Sequence, residues 1–368
     1  MARKEVDKPF LISVIILIVA GFFVFVSASM GLLAREHGVE FKDVLFNQTV
    51  LGLIGGTVAL LITSHIHYRF WRKYSLLIFG LALLMTLLVF IPGVGFEHGG
   101  ARRWIDLGVV TFQPSEFLKF AFIIYFSAWL SGMKRKVDTF KFGLIPFSIL
   151  LAVTSFVLLL QPDTDTLAVI FFAGLAIFIT AGAKWWHALV LLAASFAGLA
   201  GVALLRPYIR ERLLTFLDPT QDPLGAGYQI QQSLIAIGSG GWFGRGFGQS
   251  IQKFDYLPEP IGDSIFAVMA EEFGFIGGLA LIGLFVFFTF RGLRIAITAP
   301  DVFSRLLVVG IVILIVAQSF VNIGAMLGVL PLSGIPLVFV SHGGSALFIT
   351  LAEIGIILNI SKYCKKRA

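Results

Sequence analysis

Residues 263–290 read DSIFAVMAEEFGFIGGLALIGLFVFFTF. Behind one leading acid lies an apolar run long enough, at 1.5 Å of rise per residue, to carry a helix across a hydrocarbon core of roughly 30 Å. Helix rather than strand follows because, in lipid, every backbone amide must be satisfied within the segment. Asp263 then stands at the water boundary of a membrane span, with Glu271 and Glu272 inside it. Ionisable groups so placed are candidates for function before they are candidates for filler.

Working outward, apolar runs of roughly 17 to 25 residues recur near 10–33, 44–64, 74–92, 115–132, 143–160, 164–181, 186–205, 264–290, 304–328 and 342–361. With 58% hydrophobic and 13% charged residues among 368, and a mean hydropathy of +0.93, the chain is too apolar for a soluble globular domain. The expected fold is an all-α polytopic membrane protein of ten transmembrane helices, a single domain over 1–368. The basic N-terminus and first apolar run have the pattern of a secretory signal, but the run is too long for a signal core and reads as a retained first helix. The lone Cys364 excludes a disulfide or a cysteine metal cluster within one chain. The net charge of +7 resides mostly in short loops beside apolar runs, which points to membrane topology and away from nucleic acid.

Those loop charges orient the bundle, because Lys and Arg are retained on the cytoplasmic side. Basic residues such as Lys4, Arg72, Lys136, Lys184, Arg291 and Lys366 fall at every second helix boundary. Both termini are therefore expected in the cytoplasm, and segments 93–114 and 206–263 outside. The second of these, between helices seven and eight, is longer than a connector needs, and long loops on a rigid scaffold tend to carry function.

Several polar groups stand out against this background. Arg102 and Arg103 match phosphate oxygens as guanidinium forks, or anchor lipid headgroups beside Trp104. Glu116 and Lys119, three apart, share a helix face and pair inside the membrane. Gln161-Pro162-Asp163 reads as a tight turn with Asp163 capping the next helix; with Asp165 it could also meet a cation or sugar hydroxyls. The run GYQIQQSLIAIGSGGWFGRGFGQS (227–250) lacks the Gly-Lys-Ser/Thr of a nucleotide loop. Its glycines, with Arg245 and Lys253, suit either a phosphate cradle or close packing of a re-entrant segment.

Asp263 is a preferred residue type for the N-cap of the helix that follows. The field of a helix N-terminus would hold its carboxylate ionised, ready to accept a proton from a hydroxyl. Glu271 lies roughly 12 Å deeper and cannot form an acid pair with it, so Glu271 and Glu272 are expected to support the bundle. Between the last two spans, Pro331, Pro336, Gly343 and Gly344 mark a broken turn that shapes a cavity. Ser341 and His342 lie on it, at a spacing that does not support a triad with Asp263.

Taken in order, GARRWIDLG (100–108), FQPSEFLK (112–119), QPD (161–163), the 227–248 run, QKFDYLPE (252–259) with Asp263, AEEFGFIGG (270–278) and NIGAMLGVLPLSGIPLVFVSHGGS (322–345) resemble the SEDS family. These shape, elongation, division and sporulation proteins, represented by RodA and FtsW, polymerise bacterial peptidoglycan. The 252–259 run is closer to the FtsW branch.

The resemblance implies a ten-helix glycosyltransferase in the bacterial cytoplasmic membrane with its active site facing outward. Its substrate would be lipid II, a disaccharide-pentapeptide on undecaprenyl pyrophosphate. Asp263 takes the role of general base for the acceptor 4-hydroxyl, with inversion at the donor and release of undecaprenyl pyrophosphate. Arg102, Arg103, Arg245, Lys253, Glu259 and Ser341 are the expected substrate contacts. Glu116, Lys119, Glu271 and Glu272 are the expected supports. The implied partners are a class B penicillin-binding transpeptidase and other divisome or elongasome membrane proteins. No cofactor is demanded, although a divalent cation near the pyrophosphate is chemically plausible.

The chain departs from the family pattern where Pro260, Ile261, Gly262, Asp263 and Ser264 replace Ala-His-Thr-Asp-Phe. Asp165 stands in place of a glycine and His342 in place of a tyrosine. Two rival readings are a lipid II flippase and a non-catalytic scaffold that activates a transpeptidase. Placement separates the first, since an alternating-access carrier centres its polar groups at the midplane.

Overall fold

The computed structural model describes residues 5–34, 39–98, 101–106, 108, 111–219 and 225–364. In chain order the helices are α1 (Lys8–Ser29), α2 (Val39–Phe46), α3 (Gly56–His65), α4 (Arg69–Lys73), α5 (Ser75–Leu88), α6 (Pro114–Met133), α7 (Ile145–Leu160), α8 (Thr164–Thr180), α9 (Trp185–Leu205), α10 (Pro207–Leu217), α11 (Ala226–Ser239), α12 (Ile265–Thr298), α13 (Val302–Met326) and α14 (Gly344–Ser361). A π-helical stretch, Asn47–Gly55, runs directly into α3.

Among the described residues, eight helical segments are long and apolar enough to cross a membrane, so this is an integral membrane protein. Two of the ten expected spans are shorter apolar helices, Ser75–Leu88 and Thr164–Thr180. At 14 and 17 residues, they reach about 21 and 26 Å, short of a full hydrocarbon core.

The helical fold is as expected, with two additions. A small antiparallel sheet lies within 93–114, formed by β1 (Gly95–His98), β2 (Ala101–Asp106) and β3 (Thr111–Phe112) in that order. The long segment 206–263 contains two helices, α10 and α11.

Helix starts follow local chemistry. Asp7 caps α1 by accepting from the Phe10 amide, Asp163 caps α8 through the Thr166 amide, and Asp301 forms a reciprocal capping box with Ser304 on α13. Asp7 also receives Arg291 from the far end of α12 at 2.7 Å, and Asp301 receives the Tyr68 hydroxyl at 2.9 Å. These bonds tie together one end of the bundle.

The centre of the bundle is α13 and α14, whose most apolar windows are 72% and 89% buried, against 17% for the peripheral α9. A glycine permits the closest crossing at the centre. A methyl built on Gly355 of α14 would overlap Thr63 Oγ1 and the Leu60 carbonyl of α3, the small-residue contact typical of packed spans. Gly355→Val is expected to cost about 2 kcal/mol or more through overpacking, read as a lowered melting temperature in detergent. Gly80→Ala, with open space around the site, should not lower it.

Candidate active site

Asp263 lies in the irregular approach to α12, two residues before its first helical position. The N-cap is Ser264, not Asp263, and it makes no side-chain cap bond. The Asp263 carboxylate is therefore not consumed by capping, contrary to the sequence expectation. Its Oδ1 instead accepts from Gln229 Nε2 of α11 at 3.2 Å, and the same amide nitrogen reaches Ser264 Oγ at 3.0 Å. Glu259 turns back beneath it with φ of 46°, its carbonyl accepting from the Gly262 and Ser264 amides.

The acid titrates in the opposite direction from that expected of a capping residue. Burial, and then the neighbouring Glu259 charge, push the Asp263 carboxyl up to about 7 against the opposing hydrogen bonds from Gln229, the backbone and Ser264. A carboxylate tuned to neutrality can both take and release a proton near physiological pH.

Beside Asp263 the segment between α9 and α12 folds back on itself. Helix α11 starts beside Asp263 at Gln229 and ends beside Phe275, whose amide donates to the Gly241 carbonyl at 2.8 Å. The chain therefore runs down alongside α12, turns at 240–246 and climbs back. At the turn α12 is broken: Gly274 has φ of 68° and ψ of −168°. The interrupted ladder is completed by the turn. Arg245 and Gly246 amides donate to the Glu271 and Glu272 carbonyls at 3.0 Å, and the Ile276 amide donates to the Trp242 carbonyl at 3.2 Å. Non-helical backbone at membrane depth survives only when so satisfied. Gly244 is required because a Cβ there would overlap the Glu272 carbonyl. The glycine-rich run is thus a close-packed plug for a helix break.

The paired acids hold the climbing limb. Glu271 accepts from Ser250 Oγ at 2.6 Å and from the Ile251 and Gln252 amides at 3.1 and 3.2 Å, with Arg245 Nε at 3.3 Å. Glu272 takes Lys253 Nζ at 2.8 Å and Ser27 Oγ of α1 at 2.6 Å. Lys253 is fully buried, and its three ammonium protons have three acceptors: Glu272, Ser27 and the Gly248 carbonyl. The expectation that Lys253 contacts substrate is corrected, since no donor is left over. Arg245 is partly exposed but leans on Glu271.

The other singled-out residues separate into groups. Arg103 donates to the Gln161 carbonyl at 3.0 Å and to that of Pro162, which commits it to the turn before α8. Arg102 lies exposed on β2, opposite Glu97. Glu116 and Lys119 pair at 2.8 Å inside the bundle, and Lys119 also donates to Gln318 Oε1 of α13 at 2.6 Å. Ser341 Oγ donates to the Gly262 carbonyl at 2.6 Å, which places it beside Asp263 but engaged with main chain. Glu259, Asp263 and Ser341 are therefore together, while Arg245 and Lys253 belong with Glu271 and Glu272. No group of three or more His, Cys, Asp or Glu side chains that could hold a metal occurs among the described residues.

A sequence model of the cell cycle proteins FtsW, RodA and SpoVE matches residues 8–366. The chain belongs to this family. Stage V sporulation protein E of Bacillus subtilis is 37% identical over 99% of this chain and 100% of its own. A probable peptidoglycan glycosyltransferase FtsW of Geobacter is 37% identical over 98% of both chains. Among solved structures, the rod shape determining protein RodA of Thermus thermophilus superposes with a TM-score of 0.70 at 26% identity, covering 98% of each chain. A chain from a peptidoglycan synthase complex that coordinates polymerization and crosslinking gives 0.75 at 29% identity, covering 94% of this chain and 97% of its own.

The departures from the FtsW/RodA pattern have definite surroundings. Ile261 is buried and its carbonyl accepts from the His342 amide at 2.7 Å, so backbone contacts hold this position. Asp165 accepts from Arg212 of α10 at 2.9 Å and from the Gly334 amide at 3.0 Å, joining three separate segments of the chain. Burial pushes the His342 imidazole down to about 4, which leaves the ring neutral. With Ser341 Oγ turned to Gly262, the two do not form a triad with Asp263.

Sequence reasoning missed Gln229, Asn322 and Gln48 as neighbours of the site. The available signal was a polar amide on an apolar helix for Asn322 and Gln48. Gln229 carried none, since its partner lies 34 residues away.

Proposed function

We propose that this protein is a peptidoglycan glycosyltransferase that polymerises lipid II at the outer face of the bacterial cytoplasmic membrane. The acceptor 4-hydroxyl oxygen bonds to the donor anomeric carbon as that carbon's bond to the pyrophosphate oxygen breaks, its electron pair leaving on undecaprenyl pyrophosphate. The hydroxyl proton passes to Asp263. Attack opposite the leaving group inverts the configuration. One observation carries the reading: the half-buried Asp263 carboxylate is spent on neither a helix cap nor, among the described residues, an ion pair. Relatives named as probable peptidoglycan glycosyltransferases support the reaction class. The synthase-complex neighbour supports a class B penicillin-binding transpeptidase as partner.

Ten membrane crossings with both termini in the cytoplasm put Asp263 outside, and the basic loops support that orientation. Arg102, exposed on β2, is the proposed cationic side of the site, while Arg103 is engaged by the Gln161 and Pro162 carbonyls. The deciding experiment supplies fluorescent lipid II to the purified protein with its transpeptidase, in detergent and in liposomes. Glycan ladders on a gel are expected; lipid II crossing the bilayer without any ladder would instead identify a carrier.

The tuned acid sets a pH dependence. A base must be unprotonated, so kcat/KM should rise with pH along a limb centred near 7. Glu259→Gln removes the nearby negative charge that raises Asp263 and should move the limb to lower pH. Gln229→Leu removes a donor that stabilises the carboxylate and should move it to higher pH. Equal profiles for all three proteins would refute the assignment of the limb to Asp263.

A further inference from the structure

We propose that Ser341, His342 and Asn322 form a three-point clamp on the backbone of residues 261–263 that positions the Asp263 carboxylate for proton transfer, with Gln48 bracing the clamp from the second span. The proposal rests on the glycosyltransferase reading above.

The carbonyls of Ile261, Gly262 and Asp263 each accept one hydrogen bond from outside their own loop. The donors are the His342 amide at 2.7 Å, Ser341 Oγ at 2.6 Å and Asn322 Nδ2 at 2.7 Å. Peptide groups are planar, so fixing three in succession fixes the direction in which the Asp263 side chain leaves the chain. Within its own loop the stretch is held by the Glu259 carbonyl, which accepts from the Gly262 and Ser264 amides. It lies outside helix and sheet, contains a glycine, and enters α12 without a side-chain cap. Proton transfer to a positioned base is sensitive to displacements of about 1 Å.

Each donor is itself constrained. Asn322 is fully buried on α13, and its Nδ2 also donates to the Ile335 carbonyl at 3.0 Å. An amide oxygen could bond neither carbonyl, so the orientation of the side chain is settled by its partners. Ser341 Oγ also accepts from the Leu337 amide at 2.8 Å, which directs its proton to Gly262. Gln48, buried in the π-helical stretch, donates through Nε2 to the Ser341 carbonyl at 3.2 Å and accepts through Oε1 from the Gly343 amide at 2.9 Å. The wider π turn is a device often found at functional sites, and here it brings an amide from the second span to the turn that grips the acid. The clamp acts on main chain, so it serves Asp263 whatever side chains occupy 261 and 262.

The test measures steady-state lipid II polymerisation by the full-length protein with its transpeptidase, for Ser341→Ala, Asn322→Leu and Gln48→Leu. A positioning role predicts kcat lower by about ten-fold to a hundred-fold with KM within about two-fold of the native value. Added to Asp263→Asn, Ser341→Ala should lower the residual rate no further, because both act through one carboxylate. Hydrogen exchange of the 259–266 peptide, which needs no turnover, should accelerate in each single variant. If Asn322→Leu does not fold, Ser341→Ala carries the test by deleting one oxygen. Unchanged kcat with unchanged exchange overturns the clamp. A raised KM at unchanged kcat overturns it too, making Ser341 a substrate contact. If the native protein makes no polymer, the glycosyltransferase reading fails, and the exchange rates alone decide whether the clamp exists.

Discussion

Asp263→Asn is expected to lower lipid II polymerisation by about a thousand-fold, within the range that loss of a general base produces, while leaving the fold intact. The replacement keeps the shape of the side chain and an oxygen that can accept from Gln229, so the neighbouring contacts survive. What disappears is the ability to take a proton. Stability supplies an independent check on the same substitution. Because the folded-state carboxyl is raised from 3.8 to about 7, its contribution to stability is complete below the unfolded value and is lost between that value and about 7 as pH rises. Asparagine cannot ionise and escapes the loss. The melting temperature of the variant relative to the native protein should therefore climb between about pH 4 and pH 7 and level off above it. A variant that folds normally and still makes glycan at the native rate would remove Asp263 from the mechanism.

Lys253→Met should have the largest effect on folding. The change leaves Glu272 fully buried with its ammonium partner gone, and breaking a buried pair from one side costs about 3 to 5 kcal/mol. Ser27 stays as a donor but cannot balance the charge. The expected results are poor membrane accumulation and a large drop in melting temperature. Lys253→Met combined with Glu272→Gln removes both charges and should recover part of the loss. Equal destabilisation in the single and double variants would mean that packing of the lysine stem, rather than its charge, matters at this position.

The legible parts of the molecule were those with short-range causes. Lipid forces long uninterrupted helices, so apolar runs located most of the spans directly from residue order. Asp163 was readable as a cap because its partner, the Thr166 amide, lies three residues away. Glu116 and Lys119 were readable as a pair for the same reason. The break in α12 was not, because glycine is common in membrane helices and the bonds that complete this one come from 241–246. The sheet at 95–112 was hidden by the shortness of its strands, and α11 by the mixed composition of the segment around it. Within the site, an acid beside an apolar run announced Asp263. Its holders, Gln229, Ser341 and Asn322, arrive from three distant parts of the chain, and nothing in the residue order places them at one point.

The interruption at Gly274 divides α12 into two rods with a tightly packed joint. The upper rod carries the acid at its head, and the lower is moored by Arg291 to Asp7. Four main-chain bonds to the 241–246 turn bridge the joint, so the turn braces the two rods against each other. The acid at the head of the upper rod is thereby tied, through the turn and α11, to the same packed unit as the lower rod.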